Sequence, residues 1–362
     1  MTRILMVAPA LGVPPLGPSG ASAHLRGLAW AAHEAGHTLR LVAARASDHR
    51  GVHGAMPVPI ETAPVPGWPS WLRRYRERRE AWVARRLAEV ARRGPTPDLI
   101  YERWSLFADV GARARRATGA LWVLEVNAPL LLERERFEEV LDRAYAERWQ
   151  RRVLLDADHL IAVSPWLARW LVDGIGVSAE RVSMIPNGTA SWAGDRLKAR
   201  AALGLGSGDV LLGFLGSMKP WHGVGRLAGL LDRMPEARLL LVGANPPAAL
   251  AEHPRVICAG QVPEAEAADL VAAMDVGLAP YPADAPPWFC PLKVLACRAQ
   301  GTPVVASDVG ELAGLVGEGG SLVPPGDDDA LAAACAAWVG RRAPVHRRTW
   351  GRVLEEILEA VR

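Results

Sequence analysis

The chain of 362 residues contains only three lysines, Lys198, Lys219 and Lys293, although lysine and arginine together number 42. Its positive charge is carried almost entirely by arginine, so each lysine that is kept is a candidate for a specific role. Cysteine is also scarce. Cys258, Cys290, Cys297 and Cys335 form no CxxC pair, and no histidine cluster accompanies them. That spacing argues against a structural zinc site or a disulfide scaffold and for reduced thiols. Charge of one sign is not in excess: the formal net charge is +3 and the pI about 8.8. This is far from a nucleic-acid-binding composition, and no nucleic-acid partner is expected. No stretch approaches the ~20 apolar residues of a membrane-crossing helix. The opening MTRILMVAPAL has a short apolar run without the layout of a cleavable signal. These absences point to a cytoplasmic protein, with attachment to a membrane surface as the remaining alternative.

What is present is ample apolar material. Half the residues are hydrophobic and 22% are charged, a balance that suits roughly two globular domains. Ile4–Ala8 reads as a buried strand. A Gly/Pro-rich loop, Gly12–Gly20, leads to a helix over Ala21–Ala35 that stops at Gly36, and Leu39–Ala43 is the next strand. This is a β-loop-α-β unit, the seed of a parallel sheet. Leu99–Tyr101, Leu121–Val126, Leu160–Val163 and Val182–Ile185 continue the series. The Pro-rich stretch Met56–Pro69 reads as a surface excursion between strands. A second series holds Leu211–Leu215, Arg238–Val242, Val256–Cys258, Val276–Ala279 and Pro303–Ala306, with helices at Ala265–Met274 and Leu292–Gln300. The boundary falls between Gly188 and Gly208, and Pro344–Ala360 holds a last amphipathic helix. The expected fold class is α/β: two doubly wound, Rossmann-like domains, residues 1–190 and 191–343, facing a central cleft, with 344–362 as a closing segment. Ligands of such sheets sit beyond the carboxyl ends of the strands.

Several segments lie at those ends. Gly216–Gly223 (GSMKPWHG) follows a strand and precedes a helix. Gly216 permits a tight turn, and Lys219 is a point charge suited to phosphate; a plain βα loop with a solvated lysine is the alternative. In WFCPLKVLACRAQG, Pro291 stands at a first helical position and Lys293 in the first turn. A cation there opposes the helix dipole unless an anion binds nearby, or unless the lysine extends into water. In the first domain Gly17-Pro18-Ser19-Gly20 lets backbone approach a ligand, but it is not a dinucleotide fingerprint. His24 lies one turn into the following helix, where a lone histidine is more often structural. Tyr101-Glu102-Arg103 follow a strand, which makes Glu102 a candidate base or acceptor ligand. Asn127 ends another strand, and a cap or surface role fits each of these equally. Asp327-Asp328-Asp329 reads as an N-cap with acidic first-turn residues rather than as a metal site. Residues 71–93 form a basic amphipathic helix with Trp71, Leu72, Tyr75, Trp82, Leu87 and Val90 as apolar contacts. Attachment to anionic lipid, docking of an anionic acceptor, and a solvated arginine-rich helix all fit it.

Taken in order, these motifs resemble the retaining glycosyltransferases of family 4, which have the GT-B fold. GASAHLRGLAWAAHEAGHTLRLV, YERWSLF and LEVNAPL are similar to the family's first domain, and VSMIPNG to its interdomain segment. GSMKPWHG, PLKVLACRAQGTPVVASDVG and LVPPGDDDAL are similar to its donor half. TWGRVLEEIL resembles its final helix, which crosses back to the first domain. The resemblance covers nearly the whole chain. It implies transfer from a nucleotide-diphospho-sugar to an unidentified acceptor, with no cofactor and no metal. It places Lys219 and Lys293 on the diphosphate and backbone around Cys290, Pro291 and Leu292 on the diphosphate and sugar. It puts Gly260–Val262, with Val262, beside the base, Gly20 near the donor, Glu102 with Lys219 and Lys293 among the catalytic groups, and His24, Arg103 and Asn127 on the acceptor side. His222 stands where the family's lysine does, and Ser217 near its usual arginine, beside Gly216. The family's Glu-x7-Glu motif is absent: its positions hold Trp288 and Ala296. A missing charge-assisted bond to the ribose costs about 1.5–3 kcal/mol. A non-catalytic relative that acts as a binding or scaffold partner is therefore the alternative function, and a phosphorylase or epimerase has less support.

Overall fold

The computed structural model describes residues 1–47, 53–65 and 75–362. Contacts divide the chain into two compact units, Met1–Pro186 together with Gly351–Arg362, and Asn187–Trp350. In the first unit the strands are β1 (Arg3–Ala8), β2 (Thr38–Ala43), β3 (Ile60–Thr62), β4 (Leu99–Arg103), β5 (Leu121–Val126), β6 (His159–Ala162) and β7 (Val182–Met184). The helices are α1 (Gly20–Glu34), α2 (Arg76–Ala91), α3 (Val110–Thr118), α4 (Leu130–Phe137), α5 (Arg143–Asp156) and α6 (Pro165–Arg169), with a π-helical turn at Trp170–Ile175. Among the described residues the strands form one sheet in the order β3-β2-β1-β4-β5-β6-β7, and each recorded pairing is parallel. β1 is buried from Ile4 to Ala8, as expected of a strand covered on both faces. Ser19 caps α1 by accepting from the Ser22 amide at 3.1 Å, and Gly36 stops it with φ 76°.

The second unit has β8 (Val210–Leu215), β9 (Ala237–Val242), β10 (Val256–Gly260), β11 (Val276–Ala279), β12 (Val304–Ser307) and β13 (Gly320–Val323). Its helices are α7 (Arg196–Ala202), α8 (Leu227–Arg233), α9 (Ala248–Ala251), α10 (Glu264–Ala273), α11 (Leu292–Ala299), α12 (Leu312–Val316) and α13 (Asp328–Trp338). The strand order is β10-β9-β8-β11-β12-β13, again doubly wound. One buried cluster, with Leu240, Met274 and Val294, covers one face of the sheet, and a second, with Phe214, Leu239 and Leu331, covers the other. The final helix, α14 (Trp350–Ala360), lies largely in the first unit. Its Leu354 and Ile357 line a small apolar cavity with Ile4, Met6, Leu28 and Ala32.

The α/β class and the parallel, doubly wound sheets are as expected from the sequence. Two strands go beyond it. β3 lies inside the stretch read as a surface excursion, where Ile60–Thr62 pairs with Leu41–Ala43; flanking Pro59 and Pro64 disguise a strand of three residues. β13 was not expected, because GSLV is short and begins with glycine. That glycine is required: a Cβ on Gly320 would lie 1.8 Å from the Val304 carbonyl oxygen. The basic helix is described from Arg76, since Trp71 and Leu72 lie outside the described residues. Its Ala81, Val83, Ala84 and Leu87 are buried, while Trp82 is exposed. Arg76 pairs with Glu138 and Glu80 with Arg134. Both pairs run to α4 and the residue that follows it rather than along the helix itself. Asp327 caps α13 by accepting from the Ala330 amide at 2.8 Å, and Asp328 and Asp329 pair with Arg226 and Arg233.

Asp275 ties the base of the second unit together. Its buried carboxylate accepts from Arg196 at 2.5 Å, Arg200 at 3.2 Å and the Leu211 amide at 2.7 Å. Replacing Asp275 with Ala leaves the buried Arg200 without its counter-charge. Loss of about 3–5 kcal/mol is expected, read as a drop in denaturation midpoint with no loss of secondary structure below it.

Candidate active site

The order of the second sheet reverses between β8 and β11, and loops from those two strands meet there. Gly223 ends the β8 loop with φ 70°, and a Cβ on it would lie 1.8 Å from the Pro280 carbonyl oxygen after β11. Gly216 and Gly243, both at φ 133°, cross so closely that a Cβ on Gly243 would lie 2.1 Å from the Gly216 carbonyl oxygen. Within this crossing, His222 Nδ1 donates to the Ser217 carbonyl at 2.5 Å. A carbonyl can only accept, so Nε2 keeps its lone pair. Burial, and then the charge of Lys293, hold His222 down at about 3. Ser217 and Lys219 are exposed, and the Lys219 amine stands 5.8 Å from the centre of the Trp221 ring.

Lys293 is placed differently from the solvated lysine the sequence also allowed. It is 9% exposed, and its amine has no hydrogen-bond partner among the described residues. The amine lies 4.0 Å from the Phe214 ring centre and 5.0 Å from that of Tyr281. His222 packs against the same two rings at 5.9 and 5.8 Å. Burial lowers the Lys293 ammonium to about 7. The backbone of Gly216 is adjacent: a Cβ there would sit 3.6 Å from Lys293 Cε. Pro291 is the N-cap of α11, one residue before the first helical position expected for it, and no side chain caps that end. The Cys290 carbonyl accepts from Asn187 Nδ2 at 3.2 Å. Leu292 opens α11, and Val262 packs half-buried on the core. Ala296 is half-buried on α11 and Trp288 is buried.

In the first unit, alternation along β4 decides which residues meet. Arg103 pairs in register with Glu125, and Glu102 with Leu124, so Tyr101, Arg103 and Glu125 share one face while Glu102 lies on the other. Glu125 is the hub of that face, and sequence reasoning missed it. Its carboxylate accepts from Arg103 at 3.0 Å and from His24 Nε2 at 2.9 Å, and also from Tyr101 and Asn127. Arg103 also approaches His24 Nδ1 at 3.1 Å. The three acceptor-side candidates, His24, Arg103 and Asn127, thus converge on one carboxylate. The available signal was an acid inside LWVLEV, an otherwise apolar strand, where a buried carboxylate needs partners. Arg26 was missed as well: it donates to the Pro15 and Gly17 carbonyls, both at 2.8 Å, and so folds the Gly-rich loop. Gly20 is the exposed first residue of α1.

Glu102 requires correction as a candidate base. It lies within β4 rather than after it, is 1% exposed, and faces α3. Its Oε2 accepts from the Gly111 amide at 2.7 Å, and Oε1 has no partner among the described residues. Burial raises its carboxyl to about 8.

Two sequence profiles match the chain: Glycosyltransferase Family 4 over residues 18–190 and Glycosyl transferases group 1 over residues 209–340. The chain belongs to glycosyltransferase family 4. It is 29% identical over 246 residues to a D-inositol 3-phosphate glycosyltransferase of Nocardia farcinica, a match covering 58% of this chain and 54% of the relative. The chain therefore spans about half the length of that relative. It is 27% identical over 321 residues to a protein of the same name from Rhodococcus erythropolis, covering 78% of this chain and 72% of the relative. In fold it is similar to Anabaena Alr3699/HepE, crystallised in complex with UDP and glucose, with a TM-score of 0.72 and 20% identity over 100% of this chain and 99% of that one. Among the described residues no helix is long and apolar enough to cross a membrane.

The raised Glu102 carboxyl makes a prediction about stability. The folded protein holds this proton up to about pH 8, whereas the unfolded chain releases it near 4.5. Its contribution is full below about pH 4.5 and is lost as pH rises to about 8. Glu102→Gln should flatten that decline, which for one proton approaches 1.4 kcal/mol per pH unit at most, roughly. Urea denaturation of both proteins between pH 5 and 8.5 measures the difference.

Proposed function

We propose that this chain transfers a glycosyl group from a nucleotide-diphospho-sugar to a hydroxyl acceptor, with retention at the anomeric carbon. The observation that carries the reading is Lys293. A buried amine without a hydrogen-bond partner, beside the uncapped start of α11 and the Gly216 backbone, is a costly arrangement unless an anion completes it. A diphosphate supplies that anion. The UDP complex of the Anabaena protein, and the names of the relatives, support the same donor class and a transfer reaction.

On this reading the second unit holds the donor. Lys293 and the exposed Lys219 neutralise the diphosphate as its bond to the anomeric carbon breaks and the electron pair passes to the phosphate oxygen. His222, uncharged, leaves the anion contact to the two lysines. The acceptor hydroxyl forms the new bond from the same face and gives its proton to the departing phosphate oxygen, so no protein nucleophile is required. We assign no metal, because the protein supplies the cations. The first unit holds the acceptor through Arg103 and Asn127, positioned by Glu125, with Glu102 serving the fold. Ala296 supports a second reading, a relative that binds without turnover, since no carboxylate stands where the family's ribose contact does.

A screen of UDP-, GDP-, ADP- and dTDP-sugars for thermal shift and donor hydrolysis tests the proposal. One donor class should stabilise the protein and be hydrolysed; silence across all four favours the binding-only reading. Lys293→Met should lower nucleotide affinity at least about tenfold, without lowering the unfolding temperature of the empty protein, because it removes a buried amine that lacks a partner. Binding should also take up protons. The empty-site ammonium lies at about 7 and a diphosphate raises it, so at pH 8 calorimetry in buffers of different ionisation enthalpy should report uptake approaching one proton, absent in Lys293→Met.

A further inference from the structure

We propose that the acceptor is an uncharged sugar, held at Arg103 and Asn127 with its ring against Trp166 and Trp170, and not a phosphate ester such as the one in the relatives' names. The inference rests on the transferase reading above but draws only on the first unit. Its basis is charge closure. Among the described residues Arg103 is the arginine that pairs with Glu125, at 3.0 Å. A guanidinium can only donate, so His24 Nδ1 accepts from Arg103, and the ring proton lies on Nε2, directed at Glu125. His24 thus bridges Arg103 and Glu125 through its two ring nitrogens, and Tyr101 and Asn127 add hydrogen bonds to Glu125 without a cation. Arg26, two residues along α1 from His24, is turned onto the Pro15 and Gly17 carbonyls. Glu133 adds a carboxylate whose field reaches Arg103. Arg45 follows the end of β2, two strands away from β4 in the sheet order. Among the described residues that meet Glu125, the cluster thus carries no positive surplus; Arg169, exposed on α6, stands outside these contacts. A phosphate bound here would draw Arg103 from Glu125 and leave a buried carboxylate without its cation.

The aromatic side of the same region suits a neutral ring. The Trp104 amide donates to the Glu125 carbonyl at 2.9 Å, which fixes Trp104 next to the cluster. Its ring lies 6.3 Å from that of Trp170, and Trp170 stacks on Trp166 at 6.5 Å and 14°. Trp104 is buried, whereas Trp166 and Trp170 are half-buried. The ladder therefore begins beside Glu125 and emerges at α6 and the π-helical turn, a departure from regular helix that recurs at functional sites. Half-exposed indoles provide a flat apolar face. Arg103 and Asn127 provide donors for hydroxyls, and with Glu125 between them the donors are matched to a neutral partner.

A matched pair of ligands tests this on the full chain. Binding of myo-inositol, D-inositol 3-phosphate and cellobiose is measured by saturation-transfer NMR titration. In the native protein the phosphate should add nothing: D-inositol 3-phosphate should bind no tighter than myo-inositol, and cellobiose should bind. Glu125→Gln removes the charge that balances Arg103 and should shift the phosphate-to-neutral affinity ratio about tenfold towards phosphate. Trp166→Ala should weaken cellobiose about tenfold. Tenfold preference of the native protein for the phosphate, no effect of Trp166→Ala, or no binding of either uncharged ligand at millimolar concentration would overturn the proposal. Because the native comparison needs no variant, it stands even if Glu125→Gln fails to fold. Thermal shift by nucleotide-sugars reports the donor reading separately, so the two failures are distinguishable.

Discussion

The second unit depends on two chain segments passing closer than side chains allow. At the reversal of strand order, the loop after β8 meets the loop after β11, and the approach of Gly223 to the Pro280 carbonyl leaves no room for a Cβ. Gly243 meets the Gly216 carbonyl under the same restriction. The same region holds the Phe214 and Tyr281 rings within 4.0 and 5.0 Å of one amine, with the imidazole of His222 beside them. The charge of the site is therefore defined by backbone geometry first and by ionisable residues second.

This order explains which features could be read from sequence. Predominantly apolar runs such as Leu121–Val126, interrupted only by Glu125, and Val276–Ala279 were legible to the residue, because a strand buried on both faces is largely hydrophobic. Short strands beside proline or glycine, Ile60–Thr62 and Gly320–Val323, were not, because their signal is three or four residues long. Of the candidate site, Lys219, His222 and Lys293 could be found because lysine is rare and the motifs lie in a familiar order. Whether Lys293 faced water or an aromatic box could not be found, because Phe214 and Tyr281 are remote from it in sequence.

The first unit shows the complementary case. Tyr101, Glu102 and Arg103 are adjacent in sequence, and a strand sends the middle one to the opposite face. The residue with the most obvious catalytic chemistry, Glu102, is the one turned away, towards the start of α3. The carboxylate that gathers His24, Arg103, Asn127 and Tyr101 is Glu125, on the neighbouring strand. Pairing register, which one strand's sequence does not contain, decides between the two acids.

The scarcity of lysine has a consequence for handling and labelling the protein. Lys198 is on the surface beside Asp269, and the charges of the other two lysines both reach His222 in the second unit. Amine-directed reagents, which on most proteins decorate the whole surface, here have two of their three side-chain targets at one site. One of those targets, Lys293, is held with its ammonium lowered to about 7, so its nucleophilic form is abundant at neutral pH. A small apolar acylating reagent would therefore act on this chain much as an affinity label does, and protection from it would report occupancy of the site without any assay of turnover.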